Sequence, residues 1–469
     1  MHLPTLLAVS SQLTPARSQM GFTLGFHIVL ASLGVAFPAL MLIANYRGLR
    51  RKDPVALELA QRWSKVAAVT FAVGAVTGTV LSFEFGLLWP AFTGRFGEVF
   101  GVAFAIEGIF FFTEAIFIAI YIFGWKRLSG WAHFWTGVPV VIAGLGGAFS
   151  VVAVNSWMNQ PDGFRVAPNG QVTDVAPLDA IFNRATAYEV PHMILAAYLV
   201  TGFLVASVYA VGMLRGRMDR RHRLGLLIPL TVAAIATPIQ FAVGDTAARS
   251  IASDQPVKFA AMECVQHTDT HVTEYILGRC TSSGIKGGIG IPGLDSFLVG
   301  WSTDTKVTGL DSVRSADRPP ANTLLHWAFD AMVGICTLLI LLGLWLAWAW
   351  WRRRDIPRTR WFLRAVAVSG AAAVAALECG WIVTEVGRQP WIVYDVMRTK
   401  DAVTGASGVW ITFSAVLALY AALAVATVLI LRTMAHRWRT AEIGEAEVPY
   451  GPSEPMAQPE PASPGGGAG

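Results

Sequence analysis

The stretch Leu324–Trp351, LLHWAFDAMVGICTLLILLGLWLAWAWW, decides the fold. From Ala331 to Trp351 it holds no charged residue, and three arginines, Arg352–Arg354, close it. A helix crosses the hydrocarbon of a bilayer with about 20 apolar residues, so this segment is long enough to span. Eight further blocks match it: Phe22–Tyr46, Val66–Leu88, Val99–Phe123, Phe134–Val154, His192–Leu214, Leu224–Val243, Leu363–Val386 and Val409–Leu431. The chain therefore reads as all-α, a polytopic integral membrane protein with about nine transmembrane helices packed in bundles. Composition agrees, with only 14% charged residues and a mean hydropathy of +0.51. A soluble chain keeps roughly a quarter of its residues charged. A soluble helical bundle would also need polar faces on these segments, and they have none to speak of.

Arginine and lysine set the expected orientation. Arg47, Arg50, Arg51 and Lys52 follow the first block, and Lys126 and Arg127 follow the third. Arg215, Arg217, Arg220, Arg221 and Arg223 follow the fifth, and Arg352, Arg353, Arg354, Arg358 and Arg360 follow the seventh. The alternate loops are nearly free of such residues, so the positive-inside rule puts the N-terminus outside and the C-terminus in the cytoplasm. The net charge of +5 is then a cytoplasmic belt facing anionic lipid, with no nucleic-acid binding implied. Met1–Ser18 lacks the basic region of a signal peptide and is expected to be mature sequence at the outer surface. The expected organisation is six spanning helices in residues 1–243, an extracytoplasmic loop over 244–322, three helices in 323–436 and a tail over 437–469. Glu442–Gly469, rich in Pro, Gly, Ser and Glu, reads as disordered and cytoplasmic. The polar stretch Gly244–Asn322 is long for an idle loop and is expected to bind something.

Ionisable residues inside the membrane are costly and mark function by default. His27, Glu107, Glu114, His192, Asp330, Glu378 and Glu385 stand within or at the ends of the apolar blocks, together with Met332. With the orientation above, nearly all fall in the outer half of the bilayer, which points to a buried polar or cofactor site near that surface. Each taken singly has a plainer reading. An isolated histidine can bond a neighbouring carbonyl, a methionine can simply pack, and Glu385 with Arg388 can be an ion pair at a helix end. Glu107 and Glu114 resist such a reading. They lie seven residues apart on one helical face, about 10 Å of rise, and suit proton handling or cation binding.

Imidazole with thioether is an axial set for low-spin haem, and isolated His or Glu ligands suit five-coordinate haems with an open face. No Cys-x-x-Cys-His motif is present, so covalent haem attachment is not expected. No glycine-rich phosphate loop stands between a strand and a helix. Cys336 and Cys379 lie in helices, while Cys264 and Cys280 share the loop expected in an oxidising compartment. A disulfide between Cys264 and Cys280 is expected there, worth about 3 kcal/mol in the chain-entropy account.

The run Glu385-Val-Gly-Arg-Gln-Pro-Trp391 resembles the signature of subunit I of cytochrome bd quinol oxidases. Ala105–Gly108 (AIEG), Asn155–Pro161 (NSWMNQP) and Lys258–Glu263 (KFAAME) resemble the same family and follow its order. The likeness spans roughly Gln12 to His436. It implies that His192 and Met332 are the axial pair of a low-spin haem b. It implies that His27 and Glu385 are ligands of two high-spin haems, one b and one d, leaving open which holds haem d. Glu107 would sit beside that pair, Glu107 and Glu114 would carry protons, Trp381 would lie on the electron path, and Arg388 would grip haem propionates. Lys258 and Glu263 correspond to quinol-binding residues of the outer loop, which resembles the short-loop branch. The implied activity is oxidation of membrane quinol at the outer face and reduction of O₂ to water with cytoplasmic protons, building proton motive force without a pump. The implied setting is a bacterial cytoplasmic membrane, with a second large subunit (subunit II) and a very small single-helix subunit as partners. Two departures bear on proton entry and haem potential: Lys126 stands where some relatives carry an acid, and Asp330 where some carry arginine. Two other readings remain. A haem b electron shuttle would leave His27 and Glu385 idle, and a cation or proton transporter would use Glu107 and Glu114 with no haem.

Overall fold

Nine helices long and apolar enough to cross a membrane stand among the described residues. The computed structural model describes residues 3–320, 322–440 and 450. The spanning helices are α1 (Leu3–Arg51), α2 (Pro54–Leu88), α3 (Pro90–Gly124), α4 (Gly130–Asn159) and α5 (Thr186–Leu214). They continue as α6 (Arg220–Asp254), α7 (Asn322–Arg353), α8 (Arg360–Arg388) and α9 (Val409–Thr440). Side chains cap several starts. Asp53 accepts from the Ala56 amide with Pro54 in the first turn, and Asp219 accepts from His222 at 3.0 Å.

The helices form two groups. α1–α4 pack on one another, α5–α8 do likewise, and α5 joins the groups through α1 and α4. α9 lies outside, against α1 and α2. Leu199, Phe203, Leu230, Phe362 and Val366 fill the middle of the second group. The first group has a core at each end, one built on Phe92, Phe96, Phe100 and Trp157 and the other on Leu40, Met41, Trp63 and Tyr121. Large apolar side chains such as Phe112, Leu338, Ile411 and Val428 stay exposed, which suits hydrocarbon and not water.

The basic connections gather at one end. Arg220 and Arg221, in the first turn of α6, pair with Asp53 (2.7 Å) and Glu58 (2.8 Å) across the first connection. Arg223 reaches Asp355 in the connection between α7 and α8. Of the tail read as disordered, only Tyr450 is described; it hydrogen-bonds Asn45 and His133 at this basic end. The rest of that reading lies outside the described residues.

The polar stretch occupies the opposite end and is folded. Because α6 runs on past Val243 to Asp254, the segment proper starts at Gln255. It opens with a short helix, Pro256–Met262. Two antiparallel strand pairs follow, Glu274–Ile276 with Ile289–Ile291 and Arg279–Thr281 with Gly284–Lys286. A second short helix, Leu294–Gly300, then returns the chain toward α7. A disulfide joins Cys264 to Cys280, with Cα atoms 5.9 Å apart. Beneath the segment, Phe259, Met262, Leu310, Leu325 and Val383 form their own apolar cluster, which fixes it on α7 and α8.

Candidate functional site

A cavity of about 1060 Å³ opens among the helices and reaches the folded loop. Ten of the residues singled out in the sequence line it: His27, Glu107, Glu114, His192, Lys258, Glu263, Met332, Trp381, Glu385 and Arg388. They come from α1, α3, α5, the Lys258–Glu263 stretch of the loop, α7 and α8, so residues far apart in the chain share one wall.

Glycines on neighbouring helices make room for three of these side chains. A Cβ at Gly78 of α2 would lie 3.1 Å from His27 Cε1, one at Gly244 of α6 3.3 Å from His192 Cε1, and one at Gly380 of α8 3.2 Å from Met332 Sδ. Each imidazole or thioether therefore rests against bare backbone. His27 Nδ1 is 2.9 Å from Thr77 Oγ1. Thr77 gives its one hydrogen to the carbonyl of Val73 or Gly74, so its oxygen accepts from His27 Nδ1–H. That assignment leaves Nε2 with a free lone pair, the state a metal ligand requires. Gln240 of α6 holds the His192 ring through its amide nitrogen, 3.2 Å from Nε2 and 3.3 Å from Nδ1.

At the loop end the carboxylate of Glu385 accepts from Asn155 Nδ2 (3.0 Å) and Arg388 Nη2 (2.6 Å). Arg388 is buried, and its Nε and Nη1 have no partner among the described residues. A buried cation with open donors calls for an anion, and a carboxylate of a bound group fits its fork. Single donors spaced along a cavity also suit iron already held by a porphyrin, which takes only axial ligands from protein. Among the described residues no three His, Cys, Asp or Glu side chains are grouped to hold a bare metal ion. The donor set and the open guanidinium thus fit haem.

Lys258 is fully buried, and Nζ donates to Asn159 Oδ1 at 3.3 Å. Loss of hydration pulls its pKa down to about 8, with Glu189 acting in the opposite sense. Glu263 lies buried near Glu274, Asp295 and Asp330, and burial followed by these like charges raises its carboxyl well above the usual range.

Glu189 was not among the residues expected from the sequence. It sits one turn before His192, accepts from Ser156 (3.0 Å) and Asn159 (3.1 Å), and offsets the charge of Lys258. Its signal is the spacing Glu189-x-x-His192, hidden because the apolar block begins only at His192 while the helix begins at Thr186. Glu84, inside the second block, is a further ionisable residue within a spanning helix. Its oxygens are taken by Gln19 (2.9 Å) and Thr23 (2.5 Å), so it ties α1 to α2.

Nine apolar helices around an ionisable cavity define a multi-pass membrane protein with its chemistry buried between helices. The family model for cytochrome bd terminal oxidase subunit I matches residues 15–438, and the chain belongs to this family. It is 34% identical over 425 residues to a putative cytochrome bd menaquinol oxidase subunit I of Bacillus subtilis, covering 89% of this chain and 95% of that one. A cytochrome bd ubiquinol oxidase subunit 1 of the same organism is 29% identical over 420 residues, covering 84% and 86% respectively. The solved bd oxidase of Geobacillus thermodenitrificans superposes with a TM-score of 0.84 at 32% identity, over 91% of this chain and 98% of that chain. Membership makes the chain an oxidoreductase subunit of respiratory terminal oxidation, and the family implies haem cofactors and a complex with a subunit II.

Proposed function

We propose that this chain oxidises membrane quinol at its folded loop and delivers the electrons to O₂, which is reduced to water with protons taken from the basic end. The observation that carries the reading is the continuity of one cavity from Lys258 and Glu263 past His192 and Met332 to His27, Glu107 and Glu385. On this reading the loop end faces outside and the basic end the cytoplasm of a bacterial cell. Quinol protons leave on one side and protons for water enter on the other, so charge separates without pumping. One large partner, subunit II, and one very small single-helix subunit complete the assembly.

His192 and Met332 would hold a low-spin haem b, and His27 and Glu385 the two high-spin haems, one b and one d. When bound, these groups supply electron transfer and O₂ reduction. The protein supplies position, charge and proton access. Lys258 places a donor at the loop end of the cavity, where a quinol oxygen can accept. Glu263 offers a base whose raised proton affinity suits a weakly acidic hydroxyl near neutral pH. Arg388 offers two free donors to a propionate while its third holds Glu385 in place. Thr77 and Gln240 orient the two imidazoles. Trp381 adds an aromatic surface to the cavity wall for electron passage. Glu107 and Glu114 provide proton-holding groups along α3 toward the basic end.

A reduced-minus-oxidised visible spectrum of the purified complex tests the reading. A haem d band with two haem b signals is the expected result. Haem b alone would leave an electron shuttle, and no haem a transporter. Met332→Leu refines the test, because the two side chains are close in volume and packing should change by less than about 1.5 kcal/mol. The low-spin haem should become high spin or be lost; an unchanged low-spin spectrum removes Met332 from the site.

A further inference from the structure

Oxidation of a quinol breaks two O–H bonds and releases two protons with two electrons, so one carboxylate, Glu263, is one base short. The segment after it supplies others. Glu263, Glu274 and Asp295 line the loop end of the same cavity as Lys258. Asp295 is 1% exposed, and neither of its carboxylate oxygens has a hydrogen-bond partner among the described residues. Glu263 Oε2 and Glu274 Oε2 are likewise buried without a donor. The Glu263 and Glu274 carboxyls lie within hydrogen-bonding reach of each other, a contact that requires a proton on one of them. A histidine on α7 stands beside Asp330, whose charge acts on Glu263 and Glu274. His326 is completely buried, its Nδ1 is 2.9 Å from the Met262 carbonyl, and its Nε2 has no hydrogen bond. Nδ1 therefore carries the hydrogen, and Nε2 lies 3.5 Å from Asp330 Oδ2 on the next turn.

We propose that Asp295, reached through Glu274, is the second proton acceptor of quinol oxidation. The inference rests on the quinol-site reading above. In the balanced step two O–H bonds break and the quinone forms. One proton goes to Glu263 and the other through Glu274 to Asp295, and two electrons leave toward the bound haems and O₂. Buried acids with no donor are costly as carboxylates and can hold protons only because nothing else neutralises them. Burial and then the Glu274 charge raise Asp295 to about 8, and burial with the Asp330 charge raises Glu274 to about 7. The facing groups are Glu263 before the first strand pair, Glu274 on it, Asp295 on the returning helix, and His326 and Asp330 on α7. Arg249 of α6 also lines the cavity but is paired with Asp245 at 2.9 Å. A base works best with its pKa near the working pH, and these two bracket it. Both are free to accept protons only above their pKa, so quinol turnover should fall as pH drops through 8 to 7.

The test uses the whole complex with two electron donors, a quinol and a one-electron donor that releases no proton on oxidation. Asp295→Asn should lower quinol turnover above pH 8, where the wild-type carboxylate is free to accept, on the order of a hundredfold. It should leave the quinol KM within about twofold and remove the acid limb near 7–8, while the proton-free donor still drives O₂ uptake at the wild-type rate. Asp295→Glu should restore most of the rate. Equal loss with both donors would make Asp295 structural and overturn the proposal. Quinol turnover within twofold of wild type and an unshifted acid limb would overturn it too. Glu263→Gln, run beside it, separates the two levels of argument. Loss of quinol turnover there alone keeps the quinol site and discards Asp295; no loss in either variant discards the quinol site itself. Should Asp295→Asn lack haem, Glu274→Gln carries the same expected loss, and its unimpaired quinol turnover would overturn the proposal.

Discussion

Replacing Gly78 by alanine would press one methyl group against the edge of the His27 imidazole. The new Cβ would lie 3.1 Å from Cε1, 3.6 Å from Nε2 and 3.9 Å from Nδ1. Carbon atoms in ordinary contact sit about 3.5–4.0 Å apart, so the ring edge must retreat by roughly 0.4 Å or more. Nδ1 is anchored to Thr77, the residue before Gly78, so the ring pivots there and Nε2 swings. A functional site tolerates errors of only about 0.5 Å, which makes this displacement large enough to matter. Stability should survive. Alanine gains about 1 kcal/mol over glycine within a helix, and a tight contact costs about 1–3 kcal/mol, a net loss of roughly 0–2 kcal/mol. Gly74, one turn earlier on α2, is the control: its Cβ would meet only Leu30 Cβ at 3.9 Å, an ordinary contact. The assay is haem content and the carbon monoxide difference spectrum of both purified variants. Gly78→Ala should lose or shift one high-spin haem, and Gly74→Ala should match wild type. Identical, unperturbed spectra from the two would refute His27 as a ligand.

Three further outcomes follow from the same geometry. Glu114→Gln should leave the haem spectra near normal yet slow O₂ reduction and weaken charge separation, with Lys126→Ala mattering much less. Full turnover in Glu114→Gln would move proton entry off α3. Lys258, held at about 8, is charged below that pH and neutral above it, so quinol KM should rise as pH passes 8. Lys258→Met should show a high KM without that pH dependence, and a wild-type profile in the variant would remove the ammonium from quinol binding. Thiol labelling of unreduced, denatured protein should find two reactive cysteines, Cys336 and Cys379; four would exclude the Cys264–Cys280 bond.

The spanning helices were legible because lipid demands an unbroken apolar length, and each block in the sequence lies within one helix. What composition hides is where a helix goes after it leaves the hydrocarbon. The extension of α6 to Asp254 carries Asp245 and Arg249, joined at 2.9 Å, in helical residues that read as loop. The start of α5 at Thr186 hides Glu189 in the same way. The candidate ligands were legible as isolated polar residues in apolar blocks. Their supports were not, because a glycine behind a ligand or a glutamine on the next helix looks like any other residue until the helices are packed. Gly78, Gly244, Gly380 and Gln240 belong to this second kind. The fold of the 255–320 segment was equally hidden, since its short strand pairs carry no periodicity long enough to read.

The packed helices also show why NSWMNQ carries two asparagines four residues apart. Asn155 and Asn159 lie on one face of α4 and hydrogen-bond each other at 3.2 Å. Asn155 donates onward to Glu385 (3.0 Å), while Asn159 accepts from Lys258 (3.3 Å) and donates to Glu189 (3.1 Å). An amide can accept on one side and donate on the other, so a pair of them bridges a cation and two carboxylates where a charged side chain would add an uncompensated charge. Arg388 completes the seam on Glu385 at 2.6 Å. Two cations and two carboxylates, Lys258 and Arg388 with Glu189 and Glu385, are thus linked through neutral amides, and the seam is electrically balanced when all four are ionised. Removing any one charge leaves a buried imbalance. That is why a Lys258 substitution at the loop should be felt at Glu385, on the far side of two asparagines.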